Sequence, residues 1–180
     1  EELNAAVKTD ASIYLMPGEY ELTNTAIGAT LKGASEETVK VNATVPIYGF
    51  TGKFPVRMHF ENLTFTNTIS TFQDTAKAED GGVSCTFTNV TFGAGFRHGY
   101  GSRVAFTDCT FGSNSEGYAL HFEYDEVGEE LEVKITNCVF EGGKVHLGGP
   151  RTYAFTNCDF ASGTDFQVWT NITLEGCSYG

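Results

Sequence analysis

Six side chains between positions 97 and 169 could together hold a sugar. They are a guanidinium, two imidazoles, a carboxylate, an amide and an indole, carried by Arg97, His121, His146, Glu123, Gln167 and Trp169. Apolar residues alternate with them, and if those face the interior, the six face outward. An indole stacks on a pyranose ring, while the polar groups reach hydroxyls or a carboxylate. The pattern predicts a carbohydrate-binding face, although exposed strand positions also accept polar residues without any ligand.

Two acidic segments, 74–80 and 125–130, flank these strands and could supply oxygen ligands for Ca²⁺. Their candidate ligands are Asp74, Asp80, Asp125 and Glu126. Two such loops beside a sugar-binding face would suit a calcium-bridged acidic glycan. Neither segment has an ordered ligand spacing, so solvated loops are the favoured interpretation. We therefore expect no obligatory cofactor, with Ca²⁺ as the ion that the sequence could accommodate.

A repeated phrase determines the elements that position these residues. It reads hydrophobic, any, hydrophobic, any, Asn or Asp, hydrophobic, any, aromatic, and its six copies lie at 58–65, 85–92, 104–111, 133–140, 153–160 and 172–179. The basic unit is about 19 to 20 residues long, with insertions of roughly 8 to 10 residues in two places. Period-two alternation rich in β-branched and aromatic residues predicts strands. A repeat of this length is typical of a solenoid.

The fifth position of the phrase predicts a bend. It holds Asn62, Asn89, Asp108, Asn137 and Asn157, and then Gly176 in the final copy. These residue types tolerate the left-handed backbone region. One left-handed residue between two strands turns the chain sharply and leaves the residues on both sides of it facing inward. We therefore predict stacked coils about 4.7 to 4.9 Å apart, in which like residues form columns.

Four of the five cysteines occupy the sixth position of the phrase, next to the bend. They are Cys109, Cys138, Cys158 and Cys177. Four thiols in a straight line inside a dry interior do not form the tetrahedron that zinc prefers. They are predicted to pack as small apolar side chains rather than to bind metal or form disulfides.

With these features the chain resembles the right-handed parallel β-helix of the pectin-lyase-like superfamily. The Asn turn is typical of that superfamily, and residues 3–7 and 13–20 are similar to its capping helix and first coil. The resemblance implies an all-β, single-domain β-helix over 1–180, with an N-terminal cap at 1–9 and regular coils at 58–179. The enzymes of the superfamily use the face on which Arg97 to Trp169 are predicted.

The resemblance does not bring a catalytic centre with it. Polygalacturonase-like hydrolases carry Asn-Thr-Asp, Asp-Asp and Arg-Ile-Lys motifs, and none of these occurs in the sequence. A lyase would need an Arg or Lys base beside calcium carboxylates, and Arg97 with Glu123 is the only such combination on the predicted face. Glu123 and Asp125 are too close in sequence to be read as an acid and base pair.

We therefore expect a non-catalytic binding or adhesion module of an extracellular bacterial surface protein, secreted or held at the cell surface, with a glycan or host-surface ligand as its partner. The alternatives are a polysaccharide lyase or glycoside hydrolase acting on an acidic polysaccharide, and a rigid spacer without a ligand. Glycan binding without product release distinguishes the first from the second, and loss of binding on mutation of the face distinguishes it from the third.

Charge and hydropathy restrict the partners. The formal net charge is −12, which disfavours nucleic acid and anionic membranes. No apolar run approaches the roughly 18 residues of a membrane-spanning helix, so no membrane insertion is expected. The last copy of the phrase has no closing helix or polar coil after it, and uncovered strand edges attract partners. We expect self-association or a further domain at that end.

Overall fold

The computed structural model describes residues 2–7, 11–24, 28–45, 56–71, 83–98, 102–123 and 131–180. Within these ranges the chain forms strands preceded by one short helix, so the prediction of an all-β protein is confirmed. The elements are α1 (Glu2–Ala6), β1 (Ser12–Leu15), β2 (Gly18–Leu22), β3 (Thr30–Gly33), β4 (Val39–Ala43), β5 (Val56–Phe65), β6 (Ile69–Thr71), β7 (Val83–Phe92), β8 (Phe96–His98), β9 (Ser102–Thr107), β10 (Thr110–Phe111), β11 (Tyr118–Phe122), β12 (Leu131–Thr136), β13 (Val139–Phe140), β14 (Gly143–Leu147), β15 (Arg151–Thr156), β16 (Asp159–Phe160), β17 (Thr164–Val168), β18 (Asn171–Glu175) and β19 (Ser178–Tyr179).

The strands pair in parallel and form two curled sheets. Along the larger sheet the main order is β18-β15-β12-β9-β7-β10-β13-β16-β19, and β1 to β5 join it through β5 and β7. The smaller sheet has the order β17-β14-β11-β8-β6. Neighbouring strands therefore come from successive repeats of the chain, an arrangement that is compatible with a β-helix or another solenoid.

The repeated phrase sets the register of the larger sheet. The third residue of each copy pairs with the third residue of the next, giving the series Phe60, Phe87, Phe106, Ile135, Phe155 and Leu174. Leu31 of β3 pairs with Phe60 in the same way. Since side chains alternate between the two faces of a strand, this register places one apolar column on the inner face.

The predicted bend is confirmed at every copy. The φ angle is 56° at Asn62, 52° at Asn89, 55° at Asp108, 55° at Asn137, 53° at Asn157 and 64° at Gly176. The turns are also joined to one another, because Asn89 Nδ2 donates to Asn62 Oδ1 at 2.9 Å and Asn137 Nδ2 donates to Asp108 Oδ1 at 3.1 Å. Gly176 has a second reason to lack a side chain, since a Cβ there would lie 2.4 Å from Asn157 Oδ1.

Phenylalanine rings fill the core beneath the larger sheet. Phe87 is buried, with its ring centroid 5.3 Å from that of Phe60 and 5.2 Å from that of Phe106, in stacked geometry on both sides. A second column follows the bend and contains Phe92, Phe111, Phe140 and Phe160, with successive centroids 4.9, 4.7 and 4.9 Å apart. Stacked aromatic pairs add to the stability that burial of their apolar area already supplies.

The cysteines pack as predicted. All five are free, and Cys109, Cys138 and Cys158 are buried while Cys177 is half-buried. Their thiols face backbone carbonyls, as in Cys138, whose Sγ lies 3.2 Å from the oxygen of Thr136. A thiol at this position fills a small space and meets a carbonyl that the bend leaves nearby.

The two ends of the sheets differ. At one end Asn4 of α1 donates to the oxygen of Glu21 and accepts from the nitrogens of Thr23 and Asn24, which ties the helix to the end of β2. At the other end the outermost strands leave apolar side chains in solvent, with Leu174 51% and Tyr179 63% exposed. None of the helices among the described residues has the length and apolar character needed to cross a membrane.

Candidate functional site

The smaller sheet brings four of the predicted site residues into one row. Arg97, His121, His146 and Gln167 occupy one register position on β8, β11, β14 and β17. We refer to these four as the outer row. Because neighbouring strands lie about 4.7–4.9 Å apart, the row is roughly 15 Å long. The structure thus places them together as the alternation predicted, while their role in ligand binding stays a prediction.

Alternation with the core turns the outer row toward solvent. The residues beside the row on the inner face, Phe96, Leu120, Phe122, Val145 and Leu147, are buried. Their counterparts on the outermost strand, Phe166 and Val168, are half-buried. Apolar residues at every second position hold the strands against the core and leave the intervening side chains outside.

Tyr118 joins this face although alternation predicts it inside. Counted back from Phe122 and Leu120, it would point to the core. The pairing of β11 with β14 shifts between Tyr118 and Leu120, so that Ala119 is an extra residue and is buried together with Leu120. The irregularity places the Tyr118 ring on that of His121, with centroids 4.5 Å apart and an interplanar angle of 17°. The sequence of this segment carries no signal for the extra residue.

The rings on this face contact one another from strand to strand. The centroid of His146 lies 4.6 Å from that of His121 and 4.6 Å from that of Trp169. Lys144 Nζ lies 4.9 Å from the centroid of Tyr118. Trp169, at the end of the series, is 65% exposed. An incoming ligand therefore finds its most accessible aromatic surface at Trp169.

Arg97 and Glu123 form an ion pair at the opposite end of the face. Arg97 Nε donates to Glu123 Oε1 at 2.8 Å, and Nη2 contacts the same oxygen. The Arg97 side chain is 53% exposed and that of Glu123 29%. Such exposed pairs contribute little to stability. Their contact does, however, neutralise the charge that either group would present to a ligand.

A chain of hydrogen bonds determines the tautomer of His146. Gln167 Nε2 donates to Asp165 Oδ2 at 2.9 Å, and Gln167 Oε1 lies 3.4 Å from His146 Nδ1. An ionised carboxylate only accepts, so the amide nitrogen of Gln167 must face Asp165 and its oxygen must face His146. Nδ1 of His146 therefore carries a proton, and in the neutral ring Nε2 is the acceptor. We refer to Trp169, Gln167, His146 and Asp165 as the Trp169 end.

The pKa of His121 is lowered. The first cause is burial, which disfavours the charged ring, and the second is the proximity of His146. Arg97 acts in the same direction, whereas Glu123 opposes the shift. His121 is therefore held in its neutral form at neutral pH, in which the ring both donates and accepts hydrogen bonds.

Two buried side chains with basic groups lie inside the sheets and are not among the predicted site residues. His98 is buried, contacts Thr71 Oγ1 through Nδ1, and lies 4.9 Å from the ring of Phe122 between centroids. Arg151 is buried with its guanidinium carbon 5.7 Å from the centroid of the same ring. The signal for both is alternation, since His98 follows Phe96 by two residues and Arg151 precedes Tyr153 by two. Neither lies on the solvent-facing side of the smaller sheet, which we refer to as the outer face.

No metal centre is formed by the part of the chain that the structure describes, where no three His, Cys, Asp or Glu side chains are arranged to hold an ion. The four candidate calcium ligands, Asp74, Asp80, Asp125 and Glu126, lie outside the described residues. The pKa of Cys138 is raised, first by its hydrogen bond with Cys109, and that of Cys158 by its bond with Cys138. These groups are thiols rather than the thiolates that bind metals.

Comparison with known proteins assigns no function to this chain. No family model, curated protein or solved structure matches this chain. The functional interpretation therefore rests on the residues of the outer face.

Proposed function

We propose that the chain is an extracellular, bacterial cell-surface module that binds carbohydrate without catalysis, and that the Trp169 end is where the sugar binds. The observation that carries this proposal is the exposed indole of Trp169 beside His146, which is itself linked to Gln167 and Asp165. An aromatic face stacks on the apolar face of a sugar ring, and polar groups positioned beside it bond to the hydroxyls.

The proposal includes the finer assignment of the fold as a right-handed parallel β-helix similar to the pectin-lyase-like superfamily. Parallel, in-register pairing of successive repeats supports it, as do the left-handed Asn turns and the stacked Phe columns. A rigid stack of strands suits a binding surface, because the side chains that meet the ligand are held by buried neighbours.

A lyase or hydrolase acting on an acidic polysaccharide is the second candidate. It is favoured by the direct contact of Arg97 with Glu123, since a cation and a carboxylate on one face could serve such a substrate. The ion pair also argues against it, because it engages the guanidinium that a lyase would use as its base. Incubation with pectic and glucuronic-acid polysaccharides and assay for reducing or unsaturated ends distinguishes the two candidates, and we expect no product.

A glycan array tests the binding function. We expect the chain to bind at least one oligosaccharide class, and Trp169→Ala to weaken that binding by roughly tenfold or more, because truncating an aromatic residue that anchors a ligand typically costs about 2 kcal/mol or more. Tyr14→Ala is the matched control: Tyr14 is an aromatic residue of β1 with 59% exposure and lies outside the smaller sheet. Equal losses in the two variants, or no binding by the chain itself, would contradict the proposal and favour a spacer without a ligand.

A further inference from the structure

The Trp169 end combines hydrogen-bond acceptors with an anionic side chain. Asp165 is exposed, and one of its carboxylate oxygens accepts from Gln167. When the ring of His146 is neutral, its Nε2 is an acceptor, because the Nδ1 proton faces Gln167. The second N–H of the Gln167 amide and the indole N–H of Trp169 are the donors that this arrangement contributes. A ligand that matches these groups brings donors of its own, and sugar hydroxyls are such groups.

The nearby cations are engaged elsewhere. Arg97 directs Nε and Nη2 to Glu123. Lys144 lies over the Tyr118 ring, and its Nζ donates to the backbone oxygen of Glu116 at 3.3 Å.

The charge of the surrounding chain has the same sign as that of Asp165. From position 152 to 180 the sequence contains no Lys or Arg, whereas it contains Asp159, Asp165 and Glu175. The formal net charge of the whole chain is −12. An anionic group that approaches the Trp169 end therefore meets like charge on Asp165 and a chain whose net charge has the same sign.

We infer that the sugar bound at the Trp169 end is uncharged and rich in hydroxyls, and is neither a uronic acid nor a sulfated sugar. The inference rests on the proposed carbohydrate-binding function and adds the class of ligand to it. A carboxylate or sulfate placed here would meet the acceptor nitrogen of His146 and be repelled by Asp165, whereas a sugar hydroxyl can both donate and accept. The inferred ligand is thus neutral, unlike the acidic polysaccharide on which the alternative enzyme would act.

The test compares matched pairs of ligands. Neutral gluco- and galacto-oligosaccharides are titrated calorimetrically into the full chain beside glucuronic- and galacturonic-acid oligosaccharides of equal length, at one pH and one ionic strength. The expected result is binding of at least one neutral member, with its acidic counterpart weaker by roughly fivefold or more at low salt. The difference should shrink as salt is added, because it is electrostatic.

Charge variants sharpen the test. Asp165→Asn removes the repelling carboxylate, and Glu123→Gln releases the Arg97 guanidinium, so each should narrow the ratio of neutral to acidic affinity by roughly twofold to fivefold. Glu132→Gln is the matched control, since Glu132 is an exposed carboxylate of β12 in the larger sheet and should leave the ratio unchanged.

The experiment distinguishes failure of the inferred ligand class from failure of the proposed carbohydrate-binding function. Acidic oligosaccharides that bind as tightly as their neutral counterparts, or more tightly, would overturn the inference and leave carbohydrate binding in place. Failure of every oligosaccharide to bind would overturn the proposed function and the inference with it. A control variant that narrows the ratio as much as Asp165→Asn would show that total charge, rather than the Trp169 end, sets the preference, and would also overturn the inference.

Discussion

Strands from successive repeats stack in both the larger and the smaller sheet, but the two sheets differ in how far residue types repeat from strand to strand. In the larger sheet the inward and bend positions repeat similar residue types from strand to strand, so that Phe87 stacks on Phe106 and Asn89 bonds to Asn62. In the outer row of the smaller sheet, Arg97, His121, His146 and Gln167 follow one another. Repetition of one residue type favours close packing and uniform backbone geometry. Different side chains at exposed positions can instead contact different groups of a ligand.

The largest expected effect tests whether stability resides in the repeated columns. Phe87→Ala removes a buried ring stacked on both sides and should lower the free energy of unfolding by roughly 3–5 kcal/mol. Trp169→Ala removes an exposed ring and should change it by less than about 1 kcal/mol. Urea denaturation of both variants measures the contrast. Similar losses would show that the outer face also carries stability and would break the comparison.

The next effect concerns the bend. Asn89→Ala places an ordinary side chain at a φ of 52° and removes the hydrogen bond to Asn62, so we expect a loss of about 1–2 kcal/mol. Asn89→Gly removes the same hydrogen bond without the backbone penalty and should lose less. Comparing the two by thermal unfolding separates the bend from the hydrogen bond, and an equal loss in both variants would assign the cost to the hydrogen bond alone.

A smaller effect on stability is expected when the pH changes. Stability should fall toward acid pH because of His121 in the smaller sheet, and toward alkaline pH because of Cys138 beside the larger sheet. The folded pKa of His121 is lowered, so the unfolded chain binds more protons than the folded chain as the pH falls below about 6.5, and stability decreases there until the folded pKa is passed. The folded pKa of Cys138 is raised, so its contribution is lost on the alkaline side, above the ordinary thiol pKa of about 8.5.

Urea unfolding between about pH 7 and pH 5 measures the loss of stability at acid pH, and this loss should be smaller in His121→Gln. Cys138→Ala supplies the counterpart, since it should reduce the loss of stability at alkaline pH, to which Cys85 and Cys158 also contribute, and leave the loss at acid pH as it is. If the loss of stability at acid pH is the same in the unchanged chain and in His121→Gln, His121 is not its cause.

The smallest effect is expected at the Arg97–Glu123 ion pair. Both side chains are partly exposed, so Arg97→Gln should lower stability by no more than about 1 kcal/mol, and less at high salt. Thermal unfolding at low and high ionic strength checks this. A loss as large as that of Asn89→Ala would mean that the outer face is held by charge rather than by the core beneath it.

The repeated face was predictable from the sequence because its rules are local. The Asn and Asp residues at the fifth position predicted left-handed turns, and all of them have positive φ angles. The alternation predicted which residues are buried in every copy except the last, and it predicted that the cysteines are free thiols. Each of these features depends on the preferences of a few neighbouring residues, and the repeat supplies the same information several times.

The candidate site was predictable only in part. Alternation with the inward-facing apolar residues of each strand correctly placed Arg97, His121, His146 and Gln167 in one row. Tyr118 was missed because the extra residue Ala119 reverses its direction, and simple alternation has no means of placing such an irregularity. The acidic segments 74–80 and 125–130 lie outside the described residues, so the calcium hypothesis keeps its original form.

The amino-acid sequence by itself determined the strands, the bends and the columns, because period-two alternation and left-handed backbone preferences are short-range properties. Only the tertiary structure decided how the exposed groups combine. The pairing of Arg97 with Glu123, the proton on His146 Nδ1 and the open face of Trp169 depend on residues that lie far apart in sequence and meet only when the repeats stack. The chemistry proposed for this protein belongs to those contacts.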